Sequence, residues 1–226
     1  MVQLQIQRSG LTYEAALGSC FGMLIDSPGR VLSAVLAEFA NYDVAVSDLS
    51  IDGGNLEDRG ISCEVEKLDA SVTLRTDRVE IRFFDIEDTG DDTAAGVLQA
   101  IWKAIRVAAP EIAPRSHSLL YEMDCELPDG SYSKALKPFC APPELLPPGT
   151  ETAIVYYLPP DTARGFLDSS VVLNRSSEVD GGVLLAVTLV FESGLAVPDV
   201  LQSGRQRLAD LLKRLDLTLA GSRTLG

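Results

Sequence analysis

The sequence contains a single histidine, His117, in 226 residues. Its four cysteines, Cys20, Cys63, Cys125 and Cys140, are far apart and form no Cys-x-x-Cys pair. These absences argue against a zinc site with the usual cysteine and histidine spacing. No glycine-rich phosphate loop is present, so a P-loop nucleotide site is not expected either, and no cofactor is predicted.

Long apolar runs are also missing, and the longest, residues 183–191, is far too short to span a bilayer. The N-terminal segment alternates like a strand and lacks the charged and apolar regions of a signal peptide. Cys63 and Cys125 fall on the apolar side of predicted strands, which is typical of reduced, buried thiols. The sequence therefore predicts a cytoplasmic protein without a membrane segment.

Positive charge is scarce, because 19 Lys and Arg residues face 33 Asp and Glu residues and the net charge is −14 at pH 7. Such a field repels nucleic-acid phosphates and anionic membrane surfaces, so neither is an expected partner. The acidic excess is concentrated in residues 1–113. That asymmetry is compatible with self-association of two copies.

Three segments carry apolar residues at helical spacing and predict amphipathic helices. The first covers residues 28–41 with Ser27 as its N-cap, the second covers about 92–108, and the third covers about 198–217. One residue of each stripe is expected in the core: Phe39, Trp102 and Leu212.

Alternating segments at residues 61–67, 71–75 and 78–84 predict an antiparallel meander with one wet face. Its buried face is expected to carry Cys63, Val65, Val72, Leu74, Val79, Ile81 and Phe83. Further strands are expected at residues 2–7, 44–51, 116–127, 153–158, 169–174 and 183–192. The last is apolar throughout, which predicts a strand covered on both faces.

These elements predict an α+β protein with antiparallel or mixed β-sheets and three amphipathic helices packed on one face. Residues 1–127 are expected to form an α+β domain, with a ferredoxin-like core and inserted meander as one arrangement. Residues 128–149 are proline-rich and predict a linker or crossover. Residues 150–226 predict a βββα unit, which either forms its own sheet or joins the sheet of residues 1–127. Val97–Gln99 and Val200–Gln202 repeat a Val-Leu-Gln sequence, which suggests two similar β-then-α units.

A cluster of five carboxylates occupies residues 85–92, between a strand and the second helix. Asp85, Asp88 and Asp91 are candidate ligands for a hard divalent cation, which would support hydrolytic chemistry. The alternative is a solvated helix start, because carboxylates there complement the helix dipole.

Other polar residues also have both a functional and a structural interpretation. His117 lies between two serines that point to the opposite strand face, so a structural or surface histidine is expected rather than a nucleophile–base pair. Glu122, Asp124 and Glu126 share one strand face. Two of them could act as an acid–base pair, or they could form cross-strand ion pairs with arginines.

The last helix is the most basic stretch of the chain, with Arg205, Arg207, Lys213 and Arg214. These cations either complement the C-terminal end of the helix dipole or form a docking face for an acidic partner. A second copy of this chain is one such partner.

No catalytic constellation stands out in the sequence. The sequence therefore predicts a non-enzymatic protein-interaction module, a subunit or adaptor of a larger bacterial-type assembly, with protein partners and a homo-oligomeric state. Two alternatives are a divalent-cation-dependent hydrolase that uses Asp85–Asp92, and a small-ligand-binding protein with a pocket between sheet and helices.

Overall fold

The strands of this protein join a single β-sheet that carries its long helices on one face. The computed structural model describes residues 2–53, 55, 59–128, 132 and 153–220. The predicted linker at 128–149 lies outside these residues except for Pro128 and Tyr132, and the side chains of Glu87, Asp88 and Asp91 are also outside the description.

In the part of the chain that the structure describes, ten strands form the sheet, and β1 and β6, the two longest of the first half of the chain, lie side by side at its centre. The order across the sheet is β2-β3-β4-β5-β1-β6-β9-β8-β7 with antiparallel neighbours, while β10 runs parallel to the start of β1. The strands are β1 Val2–Leu17, β2 Leu49–Asp52, β3 Gly60–Val65, β4 Ala70–Arg75, β5 Arg78–Phe83, β6 Pro114–Glu126, β7 Ile154–Leu158, β8 Phe166–Arg175, β9 Val183–Glu192 and β10 Leu217–Ala220.

The predicted meander is confirmed as β3, β4 and β5, in the predicted register. Cys63, Val72 and Ile81 are cross-strand neighbours on the buried face, while Glu64 and Arg82 are exposed on the other. Alternation determines the register here, because a shift by one residue would place the charged side chains in the core. The first turn is longer than predicted and contains a 3₁₀ turn over Glu66–Leu68.

Two strand predictions need correction, and one short strand was not predicted. The strand expected at 44–51 is reduced to β2, because the Asp48 carboxylate accepts a hydrogen bond from the Ala45 N–H (2.8 Å) and holds a 3₁₀ turn over Val46–Asp48. β9 alternates between buried and half-buried residues, so only one of its faces is fully covered. β10 was not predicted, since four residues are too few to show a periodicity.

The three predicted amphipathic helices are present, and Phe39, Trp102 and Leu212 are buried as expected. Ser27 precedes the first long helix but makes no side-chain cap hydrogen bond. No helix in the described ranges is long and apolar enough to cross a membrane. The α-helices are α1 Met23–Asp26, α2 Pro28–Phe39, α3 Ile86–Thr89, α4 Asp91–Ala108 and α5 Val197–Arg214.

Two β-then-α units flank the central strand pair: β3-β4-β5-α4 lies against β1, and β7-β8-β9-α5 lies against β6. When α4 and α5 are aligned on their shared Val-Leu-Gln sequence, six positions are buried in both helices, whereas Trp102 and Ala100 are buried and their counterparts Arg205 and Ser203 are half-buried. The paired residues are Val97 and Val200, Leu98 and Leu201, Ile101 and Gly204, Ala104 and Arg207, Ile105 and Leu208, and Ala108 and Leu211. The two helices therefore present equivalent stripes to the sheet.

Candidate functional site at His117

His117 lies near the start of β6, on the sheet face that the helices cover. Only 1% of its surface is exposed, and it shares this face with Leu119 and Tyr121. The sequence predicted either a structural or a surface histidine, and the structure places the side chain in the interior. A buried imidazole needs hydrogen-bond partners, so its environment decides what it can do.

A chain of hydrogen bonds connects His117 to the first half of the protein. The Trp102 Nε1–H on α4 donates to the Tyr13 hydroxyl on β1 over 2.9 Å. The same hydroxyl lies 2.9 Å from His117 Nδ1, and both side chains are buried. The three residues come from three different elements, which means that the packing of α4 on the central strands holds the imidazole in place.

This chain determines which imidazole nitrogen carries the proton. An indole N–H can only donate, so the Tyr13 oxygen accepts from Trp102 and its own O–H is free to donate to His117 Nδ1. Nδ1 is then an acceptor, and the proton of the neutral ring is on Nε2. The opposite tautomer would leave the buried Tyr13 O–H without an acceptor, at about 1–3 kcal/mol.

Burial keeps His117 neutral. Removal from water disfavours the charged imidazolium and lowers the pKa of His117, and the backbone of Ser193 offsets only part of this effect. The Ser193 backbone lies close enough to act on the ring, but Nε2 has no partner that meets full hydrogen-bond geometry among the described residues. Within that part of the chain, His117 therefore has one N–H donor that is not fully used.

His117 lines a cleft of about 650 Å³, which we call the His117 cleft. Trp102, Ile112 and Leu195 supply apolar walls, and Gln99 adds a polar group. The size is typical of small-molecule sites, and the lining mixes apolar with polar side chains.

The electrostatics of the His117 cleft differ in sign from those of the whole protein. Lys103 and Arg106 line it, and no carboxylate does among the described residues. Lys103 is paired with Glu38 on α2 (2.7 Å), whereas Arg106 donates from Nε only to the Trp102 carbonyl (3.2 Å). Arg106 is therefore the cation available to a ligand.

The N-terminus of α5 also lines the His117 cleft, through Ala196, Val197 and Pro198. Ala196 is the N-cap residue and has no side chain that can cap the helix. The positive end of the helix dipole favours a negative charge nearby, and Asp199 in the first turn already supplies one. Arg106 and the neutral His117 are thus the groups that favour an anionic ligand in the cleft.

The acidic stretch predicted as a metal site covers α3 and the start of α4. Asp85 lies within 3.4 Å of the Ser9 hydroxyl, which donates to it. The side chains of Asp88 and Asp91 lie outside the described residues, and the described residues contain no group of three metal-ligating side chains. The cation site therefore stays a prediction.

The four cations of the last helix do not share one surface. Lys213 and Arg214 are exposed and Arg205 is half-buried, but Arg207 points inward and is almost fully buried. Three of the four are thus placed where a partner can reach them, and their proposed role in docking is not tested by the structure.

The carboxylates on β6 also differ from the expected arginine pairing. Asp124 accepts a hydrogen bond from the Ser176 hydroxyl (2.6 Å), and Glu126 accepts one from the Gln7 amide (2.9 Å). β1 lies between β6 and the meander, so the outward arginines there are not direct cross-strand neighbours. The described hydrogen bonds of Asp124 and Glu126 thus come from a serine and an amide in distant parts of the sequence.

No protein-family model and no curated protein matches this sequence. Sequence reasoning singled out His117 but missed Tyr13 and Trp102 as its partners. Tyr13 and His117 are 104 positions apart, and Trp102 has the pattern of an ordinary core residue. The sequence did show that Tyr13 and Trp102, two aromatic residues with hydrogen-bonding groups, lie on apolar faces of predicted elements, where such groups usually need a partner.

Proposed function

We propose that this protein binds a small organic anion in the His117 cleft. The observation that carries the proposal is the buried Nε2 donor of His117, which has no partner among the described residues, in a side chain that lines a cleft together with Arg106 and Trp102. An anionic oxygen would accept from Nε2–H, and the apolar body of the ligand would lie against Trp102.

Benzoate is a suitable probe, with benzyl alcohol as its neutral counterpart. Because His117 is the only histidine, its imidazole nitrogens give a single set of signals in a ¹H–¹⁵N spectrum. We expect benzoate to shift the His117 Nε2 signal and benzyl alcohol to shift it much less. Arg106→Gln should weaken benzoate binding about fivefold, the scale of an exposed ion pair.

Arg30→Gln is the matched control, because it removes the same charge from an exposed position on α2 away from the His117 cleft. It should leave benzoate binding unchanged. Equal effects of the two substitutions would show that only net charge matters. An unperturbed His117 signal with benzoate and with longer-chain carboxylates such as octanoate would contradict the proposal.

A second candidate function, the interaction module, is favoured by the edge strand β7. Val155 is 45% exposed and Tyr157 is 80% exposed, both on the sheet face opposite the helices. Val155 and Val172 are cross-strand neighbours, as are Val172 and Ala186, so apolar side chains continue inward from this edge. We infer that a second copy of the chain covers this area in a homodimer.

Light scattering tests the homodimer. The wild type should give twice the 24.2 kDa mass of the chain at micromolar concentration, and Tyr157→Lys should give the single mass. Val46→Lys is the control, because Val46 is also exposed but lies far along the chain in a 3₁₀ turn. A wild-type particle of 24.2 kDa would rule out this homodimer.

A further inference from the structure

Arg207 is a buried cation on the inner side of α5, and only 6% of it is exposed. Its guanidinium carbon lies 5.1 Å from the centre of the Phe166 ring. Nη1 lies 3.8 Å from the Asp161 carboxylate, which is longer than a hydrogen bond, and Nε has no partner among the described residues. A buried guanidinium with an unfilled donor destabilises the folded state.

The fold itself does not require a cation at this position. In the equivalent position of α4 the other β-then-α unit has Ala104, which is fully buried. An apolar residue there is compatible with the same helix-on-sheet packing. Helix packing therefore does not explain why this position holds an arginine. The unfilled Nε–H donor indicates that an acceptor from a ligand belongs there.

Arg207 lines a second cleft of about 610 Å³, which we call the Arg207 cleft. Phe166 and Arg164 also line it, and α5 contributes Gln202 and Ser203. This cleft shares no lining residue with the His117 cleft. It combines a buried guanidinium, an aromatic ring and neutral side chains that can donate hydrogen bonds.

Two carboxylates limit the charge that the Arg207 cleft can accept. Asp161 lies 3.9 Å from Arg164 as well as 3.8 Å from Arg207. Asp210 is paired with Arg164 at 3.3 Å and also accepts from the Gln206 amide. The two arginines are thus matched by two carboxylates, so a ligand with two negative charges would be repelled more strongly than one with a single charge.

We propose that the Arg207 cleft binds the carboxylate group of a small organic acid. The Nε–H and one Nη–H of Arg207 point in parallel from one side of the guanidinium, and a carboxylate accepts from both at once. The bound carboxylate fills the unused Nε donor, while Phe166 packs against the body of the acid. This site is independent of the one proposed at His117.

Acetate tests this site in the intact chain, with acetamide as the neutral isostere and inorganic phosphate as the more highly charged anion. The readout is the ¹H–¹⁵N signal of Arg207 Nε, which its burial should protect from exchange. We expect acetate to shift this signal, acetamide to leave it in place, and phosphate to act more weakly than acetate. Arg106→Gln should leave the acetate effect intact, which separates this site from the His117 cleft.

Arg207→Ala copies the residue of the other unit. The variant should melt at the wild-type temperature or above it without acetate, and should bind acetate at least about tenfold more weakly. Arg214→Ala, an exposed site on the same helix, should bind acetate like the wild type. The proposal is overturned by an unfolded Arg207→Ala chain, which would make the arginine structural, or by an Arg207 Nε signal that acetate does not move.

Discussion

The two β-then-α units have the same topology, but they differ in how completely their buried polar groups are paired. In the described part of the chain, the buried side-chain atoms without a hydrogen-bond partner are His117 Nε2, Tyr121 Oη, Ser169 Oγ and Arg207 Nε. All four belong to β6, β8 and α5. The unit that ends in α4 contributes none of them, within the described residues, and supplies Trp102 to complete a hydrogen-bond chain.

This difference separates a region whose buried polar groups are paired from one that holds buried polar groups without a partner, within the described residues. Unfilled buried donors are tolerated where a ligand or a partner supplies the missing group, and they are otherwise eliminated because each costs about 1–3 kcal/mol. We infer that the first unit stabilises the central strands and supplies Arg106 and Trp102 to the His117 cleft, while the second unit and β6 carry the buried donors that have no partner among the described residues.

Trp102→Ala should reduce the free energy of unfolding by about 3–5 kcal/mol, because it creates a cavity and removes the donor to Tyr13. The equivalent residue of α5 is Arg205, which is half-buried. Arg205→Ala should change stability by at most about 1 kcal/mol. Urea denaturation of both variants measures the difference, and equal losses would remove the distinction between the two helices.

The next pair compares Ile101 and Gly204, which occupy equivalent positions. Ile101→Ala should lower stability by about 2–4 kcal/mol through the loss of buried side-chain volume. Gly204→Ala should also lower it, by about 1–3 kcal/mol, because a Cβ there would overlap Leu119 Cδ1 and lie 3.0 Å from Tyr121 Oη.

Gly29→Ala on α2 is the control for Gly204→Ala, since a Cβ at Gly29 has no heavy atom within 4 Å. It should leave stability unchanged or raise it slightly, in line with the higher helix propensity of alanine. If Gly204→Ala were as harmless as Gly29→Ala, the close approach of α5 to β6 would not be a constraint on the sequence.

The elements that were predicted correctly have a local periodicity, and those that were missed do not. The meander follows from strict alternation between buried residues such as Val72 and outward residues such as Arg82. By contrast, a four-residue strand such as β10 owes its existence to pairing with β1, which no local pattern reports.

The candidate sites were less accessible to sequence reasoning than the fold. The helical period predicted that Trp102 is buried, but not that its N–H meets Tyr13 on a distant strand. Arg207 was grouped with the exposed cations of the last helix because its charge suggested the surface. Long-range packing determines both sites, and a single sequence does not encode it in a periodic form.

Tyr13→Phe should cost about 1–3 kcal/mol with little change in volume, because it leaves the Trp102 N–H and His117 Nδ1 without their shared partner. It should also remove the preference for the Nε2–H tautomer, so that the His117 ¹⁵N signals move toward an average of the two tautomers. Tyr156→Phe on the edge strand is the control, since Tyr156 is only half-buried. Unchanged His117 signals in Tyr13→Phe would contradict the proposed hydrogen-bond chain.

The smallest expected effect is the dependence of stability on pH that comes from His117. Its pKa is lowered in the folded state because of burial, while the unfolded chain has the ordinary value of about 6.5. As the pH falls below about 6.5, the unfolded state binds a proton that the folded state resists, so stability decreases. The decrease ends below the folded-state pKa, and its slope cannot exceed that of one proton, about 1.4 kcal/mol per pH unit.

His117→Gln lacks this titration but keeps every carboxylate, so the difference between wild type and variant isolates the histidine. We expect the wild type to lose stability relative to His117→Gln between pH 7 and pH 5. A relative gain would mean that the folded state favours the imidazolium, and would move His117 from a neutral donor to a buried cation.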